Sequence, residues 1–405
     1  MTVLSGVDVV LPGRIVPAGS VALDGSLIAD VSTATRPGGE DLSGYFVLPG
    51  FVDVHVHGLH GIDAMEGEGA VAAIADLMPR FGVTSFCPTS IACPPDDLRR
   101  LLAAVHRCRT SASAGARVLP AHLESNFINP EYKGAQPAWC LRSPLDGTRA
   151  TSSPAAEGAF TGREILNVIA AARADVGILT IAPELEGAIE LIAELVRHGH
   201  RVSLGHSGAT FEEAVAGIEA GATQATHLFN RMPPLAHRAP GLAGAVLGRD
   251  ELAAELICDG VHVHPAVMRM ALRAKRPERI MAITDGTAGA GMPPGSASVI
   301  GGRRITVGDA AYLEDGTIAG SVLTMDQAFR LLVERVGASI PDAAMACATT
   351  PAREMGLEDC GVVAAGATAD LVVLDRSLQV HRTYIGGRLA YSREHHPDGS
   401  RLSRT

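Results

Sequence analysis

Short apolar segments alternate with amphipathic helical segments through the middle of this chain, from Phe51 to about Thr350. The alternation is clear in the successive runs RVSLGH, FEEAVAGIEAG and ATQATHLFN, and again in RIMAITDG. Strands that alternate with helices in this way are typical of βα units and a parallel sheet. A segment of roughly 300 such residues predicts an α/β fold, a TIM-like (β/α)8 barrel with insertions. A doubly wound sheet is the alternative, but no Gly-rich dinucleotide fingerprint follows an early strand.

Both ends of the chain have a different character. The first 48 residues contain short strand-like runs separated by turn residues, such as Pro12-Gly13, and show no helical periodicity. The segment that follows Cys360 is similar, with the runs GVVAAGATADLVVLD and QVHRTYIGGRLAYS. These patterns predict a small β-sandwich domain from residues 1–49 plus 355–395, a catalytic barrel over residues 50–354, and a flexible tail over residues 396–405.

The composition excludes several classes of function. The 405 residues include 44 Asp and Glu against 34 Lys and Arg, a formal net charge of −10, whereas a nucleic-acid-binding surface is basic. No apolar stretch reaches the ~18–20 residues of a membrane span, and we find no secretion signal. The seven cysteines form no C-x-x-C pair, which is typical of reduced thiols in a cytosol. We therefore expect a cytoplasmic protein that binds neither nucleic acid nor a membrane.

Two histidines stand at the end of the strand-like run that begins at Phe51. The run reads FVDVHVH, and its period of two places Asp53, His55 and His57 on one face of a strand. A glycine follows, so the pair lies at the carboxyl end of this strand. Two imidazoles two residues apart on one face can chelate a metal ion, although H-x-H also occurs by chance.

Further polar residues end other strands of the predicted barrel. His206 ends RVSLGH and His227 ends ATQATH, with one amphipathic helix between them. Glu124 ends LPAHLE, and Asp285 ends RIMAITD. The carboxyl ends of all barrel strands meet at one rim, which is where barrel enzymes keep their chemistry. Surface histidines and capping acids are the structural alternative, but a coincidence at five strands is difficult to explain in that way.

The combination of imidazole and carboxylate ligands points to metal-assisted hydrolysis. These ligands suit zinc or iron, and a metal lowers the pKa of bound water towards about 7. Asp285 is placed to take the proton of the water and return it to a leaving group. The chain has only two lysines, Lys133 in a loop and Lys275 near a helix end, so neither suits a lysine-bridged pair of metals. Glu124 is the better shared ligand.

Characteristic blocks follow one another along most of the chain: PGFVDVHVHG, HLESNFINPEYKGA, LGHSGAT, ATHLFNRMPPLAHRAPGLAGAVLG, CDGVHVHP, ITDGTAGAG, DGTIAGSVLTMDQAF and TPAREMGL. In the type and order of these blocks the chain resembles the N-acetylglucosamine-6-phosphate deacetylase family of the amidohydrolase superfamily. The run from His227 through the later Arg and PGLAG is far more specific than H-x-H alone.

The resemblance implies a role for each matching residue. Glu124, His206 and His227 match the family's principal metal ligands, and His55 and His57 match the ligands of a second metal that only some members keep. Asp285 matches the general acid/base. The residues matching those that bind the sugar phosphate are Asn230, Arg238 and His262. The arginine is implied to reach the neighbouring subunit's site in a homodimer, and a guanidinium suits a two-point grip on phosphate.

The chain departs from the family pattern around the substrate. Ser125-Asn126 follows Glu124 where the family has Gly-Pro, which changes the φ range and stiffness of that loop. Gln136 stands where the family has a histidine that helps to polarise the acetyl carbonyl. A glutamine can still donate a hydrogen bond there, but it carries no charge. Arg231 and Ala239 replace the more usual Ala and Glu, so Gln136 and Arg231 are included among the predicted substrate-binding residues.

Three hypotheses about function follow. The first is deacetylation of N-acetylglucosamine 6-phosphate to glucosamine 6-phosphate and acetate, with one or two divalent ions, zinc preferred and iron or another divalent ion as the alternative. The second keeps this chemistry on a different N-acyl amino sugar. The third is a catalytically weak sugar-phosphate-binding paralogue, against which the intact ligand set and Asp285 count.

Overall fold

The computed structural model describes residues 1–67, 69–111, 114–145 and 160–395. The predicted tail, residues 396–405, lies outside the described residues. Within the described ranges, no helix combines the length and the apolar character that crossing a bilayer requires.

Twenty-two strands are present in the described residues. They are β1 (Thr2–Leu11), β2 (Arg14–Asp24), β3 (Leu27–Ser32), β4 (Glu40–Asp41), β5 (Phe46–Pro49), β6 (Phe51–Val56), β7 (Gly58–Leu59), β8 (Ile62–Asp63), β9 (Val83–Ser90), β10 (Arg117–Val118), β11 (Ala121–Leu123), β12 (Val176–Ile181), β13 (Arg201–Leu204), β14 (Gln224–Ala225), β15 (Ala253–Ile257), β16 (Ile280–Ile283), β17 (Ala297–Ile300), β18 (Arg303–Val307), β19 (Ala311–Leu313), β20 (Leu371–Leu374), β21 (Val380–Ile385) and β22 (Arg388–Ser392).

The helices follow the barrel strands along the chain. The α-helices of the described part are α1 (Ala70–Leu77), α2 (Pro95–Thr110), α3 (Gly162–Ala171), α4 (Ala188–Arg197), α5 (Phe211–Glu219), α6 (Gly241–Gly248), α7 (Pro265–Lys275), α8 (Met325–Leu331), α9 (Ile340–Ala344) and α10 (Thr350–Glu354). Two π-helical turns, Leu332–Val336 and Met345–Thr349, continue α8 and α9. Single 3-10 turns are Ala64–Glu66, Met78–Phe81, Pro130–Tyr132, Ala138–Cys140, Arg173–Asp175, Pro277–Arg279 and Arg393–His395.

Eight parallel strands form the barrel, in the order β6-β9-β11-β12-β13-β14-β15-β16. A parallel bridge between Val56 and Gly286 joins the last strand region to the first. Asp53 supports this closure, because its carboxylate accepts a 2.6 Å hydrogen bond from the Thr284 hydroxyl across the seam. The strands β9 and β12 are buried along their whole length, as expected where helices cover a parallel sheet. The predicted fold class is confirmed.

The two ends of the chain meet in a second, mostly antiparallel sheet with the order β22-β21-β20-β5-β1-β2-β3, and β4 pairs with β1. Its centre joins distant parts of the sequence, because β20 runs antiparallel to β5 with Leu371 opposite Pro49. Leu4, Val21 and Val373 belong to its own apolar core. The division into residues 1–49 plus 355–395 and residues 50–354 stays a prediction.

A three-stranded antiparallel insertion, β17-β18-β19, follows the last barrel strand. Ile300 at the end of β17 and the segment Ile318–Gly320 after β19 line the cavity at the carboxyl rim of the barrel. The insertion therefore forms one wall of the site described next.

Candidate metal centre and active-site cavity

The polar residues that the sequence places at strand ends lie together at the carboxyl rim of the barrel. His55 is within β6 and His57 follows it, and Glu124 comes directly after β11. The other three follow their strands by two residues, namely His206 after β13, His227 after β14 and Asp285 after β16. All six side chains are buried.

Three of these residues leave their strands through left-handed backbone. The φ angles of His206, His227 and Asp285 are 47°, 29° and 49°. Non-glycine residues in this region carry strain of about 1–3 kcal/mol each and persist only where surrounding contacts fix them. Here the His206 carbonyl accepts from Asn129 N–H at 3.0 Å, and Asp285 N–H donates to the His55 carbonyl at 3.0 Å. The strained turns direct the three side chains into the barrel mouth.

Glu124, His206 and His227 form the first cluster. Oε1 of Glu124 lies 2.7 Å from Nε2 of His206 and 2.9 Å from Nε2 of His227, and the two Nε2 atoms are 3.0 Å apart. The three side chains come from three different barrel strands, so only the closed barrel brings their ligand atoms together.

His55, His57 and Asp285 form the second cluster, next to the first. The Nε2 atoms of His55 and His57 are 3.2 Å apart, and Oδ1 of Asp285 lies 3.4 Å from the first and 3.3 Å from the second. Glu124 connects the two clusters, because its Oε2 is 3.6 Å from Nε2 of His57.

The electrostatics keep both carboxylates ionised. Burial alone raises the pKa of Glu124, but the imidazoles of His206 and His227 outweigh it and hold this pKa well below its usual value. Burial also raises the pKa of Asp285, and His55 and His57 outweigh it, so the net shift is downward. The pKa of His57 is lowered by burial and raised more strongly by Asp285 and Glu124, to about 9. Two buried anions among four imidazoles constitute a cation-binding environment.

The donor set fits a divalent metal ion. Nδ1 of His206 lies 2.8 Å from the Tyr132 carbonyl oxygen, which can only accept, so Nδ1 carries a hydrogen and, in the neutral imidazole, Nε2 is left with its lone pair. That lone pair points at an ionised carboxylate, an arrangement that a cation between them stabilises. Imidazole nitrogen with carboxylate oxygen is a ligand set of zinc and iron. The family-level expectation of metal dependence is therefore matched by the residues present.

Glu255 and His122 lie beneath the clusters and were not among the predicted site residues. Oε2 of Glu255 lies 2.9 Å from Nδ1 of His55 and accepts from the His227 backbone N–H at 3.3 Å. His122 donates from Nδ1 to the Val54 carbonyl at 3.1 Å, which leaves no lone pair on that nitrogen for a metal. The sequence signal for Glu255 was an acidic residue inside the apolar strand AAELI.

A cavity of about 490 Å³ opens above the two clusters. His57, Glu124, His206, His227 and Asp285 form its floor, and the predicted substrate-binding residues Gln136, Asn230, Arg231 and His262 line its walls. Nδ1 of His262 is 2.6 Å from the Asp259 carboxylate. Burial lowers the pKa of His262, but Asp259 outweighs burial and raises it. Arg238 is not in this cavity, since it lies on an exposed loop.

The departures after Glu124 face away from the cavity. The Ser125 hydroxyl donates to the Thr180 carbonyl at 2.6 Å, and Nδ2 of Asn126 donates to the carbonyls of Cys93 and Cys140 at 2.9 and 2.7 Å. Both side chains are buried and bonded to backbone. They support the loop structurally, whereas Gln136 and Arg231 face the cavity.

Comparison with known proteins agrees with this geometry. Residues 46–390 match the amidohydrolase family, and the chain belongs to that family. The N-acetylglucosamine-6-phosphate deacetylase of Rattus norvegicus is 37% identical over 367 residues, 87% of this chain and 85% of the relative. The N-acetylgalactosamine-6-phosphate deacetylase of Escherichia coli O157:H7 is 34% identical, over 85% of this chain and 87% of that protein.

Among solved structures, a mutant of the Mycobacterium smegmatis N-acetyl-D-glucosamine-6-phosphate deacetylase in complex with N-acetyl-D-glucosamine-6-phosphate superposes with a TM-score of 0.86. It is 32% identical, and the match covers 96% of this chain and 99% of that one. Within the amidohydrolases, the chain is thus a member of the N-acetylglucosamine-6-phosphate deacetylase family, a metal-dependent hydrolase of linear amides.

Proposed function

We propose that this protein removes the acetyl group from N-acetylglucosamine 6-phosphate, giving glucosamine 6-phosphate and acetate. The observation that carries the proposal is the pair of histidine–carboxylate clusters on the floor of one cavity whose walls carry Arg231 and His262. The chain also aligns over most of its length with enzymes of this name.

The first cluster, Glu124, His206 and His227, is proposed to hold the principal divalent ion. His55 and His57 are proposed to hold a second, with Glu124 as the shared carboxylate. Zinc is the preferred identity, and iron is the alternative. A bound ion of this kind polarises an amide carbonyl and makes hydroxide available at neutral pH.

Asp285 is proposed to handle the proton. Its carboxylate is buried, ionised and at the edge of the cavity floor, 3.3 Å from Nε2 of His57. One carboxylate oxygen accepts the proton of the attacking water and then donates it to the sugar nitrogen as the C–N bond breaks. A positioned acid/base of this type contributes typically 10²–10⁴-fold to the rate.

The sugar phosphate is proposed to be held by polar and cationic groups of two subunits. Asn230, Arg231, Gln136 and His262 line the cavity of their own chain, whereas Arg238 is exposed on the loop that precedes α6. Arg238 is proposed to enter the partner's cavity in a homodimer.

All seven cysteines are free thiols, which supports a reducing compartment such as the cytoplasm.

A second substrate has a specific observation in its favour. One relative, 34% identical, is an N-acetylgalactosamine-6-phosphate deacetylase. Arg231, where the family more often has Ala, lines the cavity and is oriented by a 3.3 Å hydrogen bond to the Ile318 carbonyl, so this wall of the cavity differs from the family pattern. The C4-epimeric sugar phosphate is therefore the second candidate.

Amine release from metal-loaded protein tests these proposals. The panel contains N-acetylglucosamine 6-phosphate, its C4 epimer and the unphosphorylated sugars, with Asp285→Asn as the control that keeps the cavity. We expect release from a 6-phosphate sugar, at least ~10²-fold less from Asp285→Asn, and much less without the phosphate. Absence of release from every phosphorylated sugar would contradict the deacetylase assignment and favour a sugar-phosphate-binding paralogue.

A further inference from the structure

Gln136 lies between the first metal-ligand cluster and the segment that follows β9. Its side chain is buried, and only 4% of the residue is exposed. Oε1 accepts a 2.7 Å hydrogen bond from the Ala92 backbone N–H, and Nε2 donates to Oε2 of Glu124. A single amide therefore connects a fixed backbone group to the carboxylate that both clusters share.

The two neighbours determine the orientation of this amide. A backbone N–H can only donate, and an ionised carboxylate can only accept. The oxygen of Gln136 must therefore face Ala92 and its NH2 group must face Glu124, since the reverse orientation loses both hydrogen bonds. The usual ambiguity of amide orientation does not arise at this position.

The segment containing Ala92, whose N–H donates to Gln136, is itself held in place. Nδ2 of Asn126 donates to the Cys93 carbonyl, one residue beyond Ala92, and also to the Cys140 carbonyl. Asn126 and Gln136 are two of the departures from the family pattern, and they fix the same short segment. The hydrogen bonds run from Asn126 through the Ala92–Cys93 segment to Gln136 and end on Glu124.

These contacts give the two carboxylate oxygens of Glu124 different partners. Oε1 is the atom that faces Nε2 of His206 and Nε2 of His227, at 2.7 and 2.9 Å. Oε2 takes the hydrogen bond of Gln136, so the carboxylate cannot rotate without breaking a buried contact. We propose that Gln136 is a positioning residue that orients Glu124 for the metal ion of the first cluster.

This proposal rests on the proposed metal site, and it differs from the sequence-based expectation for Gln136. The comparison with the family pattern predicts that the Gln136 amide donates a hydrogen bond to the acetyl carbonyl of the substrate. A positioning role acts on metal affinity in the absence of substrate, whereas a donor to the substrate acts on kcat of the fully loaded enzyme. The two roles are therefore separable by measurement.

The test is calorimetric titration of metal-free full-length protein with zinc alone. The titration uses a His57→Asn background, which removes one ligand of the second cluster so that the first cluster is observed. We expect Gln136→Leu and Gln136→Met to weaken zinc binding by roughly 10–100-fold, the usual effect of losing a group that orients a metal ligand. Gln136→His, whose ring N–H can still donate to Glu124, is expected to retain affinity within a few fold.

Gln224→Leu is the matched control, because Gln224 is also a buried amide but its Nε2 contacts the Glu354 carbonyl and no predicted ligand. Its zinc affinity should equal that of the parent. Unchanged zinc affinity in Gln136→Leu and Gln136→Met, with or without a loss of kcat in the loaded enzyme, would overturn the proposal. Because no substrate is present, failure of the proposed deacetylation leaves the result of this titration intact.

Discussion

The tautomers of two histidines in the clusters, His55 and His206, depend on what Nδ1 of each ring contacts. Nδ1 of His55 donates to the Glu255 carboxylate and Nδ1 of His206 donates to the Tyr132 carbonyl, so both rings direct a lone pair on Nε2 towards the clusters. Such partners fix ring orientation and raise ligand basicity. Neither Glu255 nor Tyr132 could be assigned this role from the sequence, because both contacts join distant segments.

The first prediction concerns the charge of Glu255. Its Oε2 accepts two hydrogen bonds, so Glu255→Gln can keep both with its amide oxygen. The substitution removes the negative charge that the carboxylate carries at high pH, since burial raises the pKa of Glu255 to about 7. We expect the ion at His55 and His57 to bind roughly 10-fold more weakly, as for other outer-shell changes. Metal analysis after dialysis against graded zinc measures this effect. An equal loss of affinity at both clusters would contradict the specific link to His55.

The second prediction concerns pH and His262. Asp259 raises the pKa of this histidine, so its imidazole stays protonated to higher pH than an ordinary one and loses its charge as pH rises through the raised pKa. If the cation binds the phosphate, KM for the phosphorylated substrate should increase over that same range. In His262→Gln, KM should be higher by about tenfold at low pH and should no longer change there. Steady-state kinetics across pH measure this, and parallel profiles for both proteins would argue against phosphate contact.

At the scale of elements, the carboxyl ends of the barrel strands carry the site. The sequence located these ends because an apolar run stops there at a polar residue, as at RVSLGH. The sequence did not show that some barrel strands are very short. For example, β14 has only two residues, Gln224–Ala225. The helix α5 between His206 and His227 begins with a capping box, which fixes where the chain leaves the rim.

The third prediction concerns that capping box. Thr210 Oγ1 accepts from the Glu213 N–H at 3.2 Å, and the Glu213 carboxylate accepts from the Thr210 N–H at 2.8 Å. Thr210→Ala should lower the free energy of unfolding by about 1 kcal/mol. Amine release per metal-loaded site should be unchanged, because Thr210 is outside the cavity lining. Urea unfolding and the amine assay measure the two quantities.

Thr161→Ala provides the comparison, because Thr161 and Glu164 form the same box at the start of α3. A similar loss of stability is expected there. If Thr210→Ala reduced activity while Thr161→Ala did not, α5 would have to be regarded as part of the catalytic apparatus.

At the scale of the whole molecule, the position of Arg238 bears on the proposed homodimer. Its side chain is exposed on the chain's own surface and outside its own cavity. The neighbouring Leu235 on the same loop is 51% exposed, so in the proposed homodimer this loop presents an apolar side chain beside Arg238.

The fourth prediction follows from the proposed homodimer. Arg238→Ala and Asp285→Asn homodimers should each be nearly inactive, since every site lacks one group. In a mixed dimer, the site that retains Asp285 receives Arg238 from its partner, so random mixing should restore about a quarter of the wild-type activity. Amine release after co-refolding or subunit exchange measures the recovery. Mixtures that stay inactive, while mixed dimers are demonstrably present, would show that Arg238 acts within its own chain or elsewhere.

The sequence by itself determined the succession of strands and helices, the polar residue at each strand end and the family to which these blocks belong. Such features are local, because hydrophobic periodicity and turn chemistry are expressed within a few residues. Only the tertiary structure decided that Glu124 lies between two clusters, that Glu255 supports His55, and that Gln136 is bonded to Glu124. It also turned Ser125 and Asn126 away from the cavity. Most of these contacts join residues far apart in the chain, and closure of the barrel creates them. The contact of Gln136 with Glu124, 12 residues away, depends on how the segment after β11 folds back on the rim.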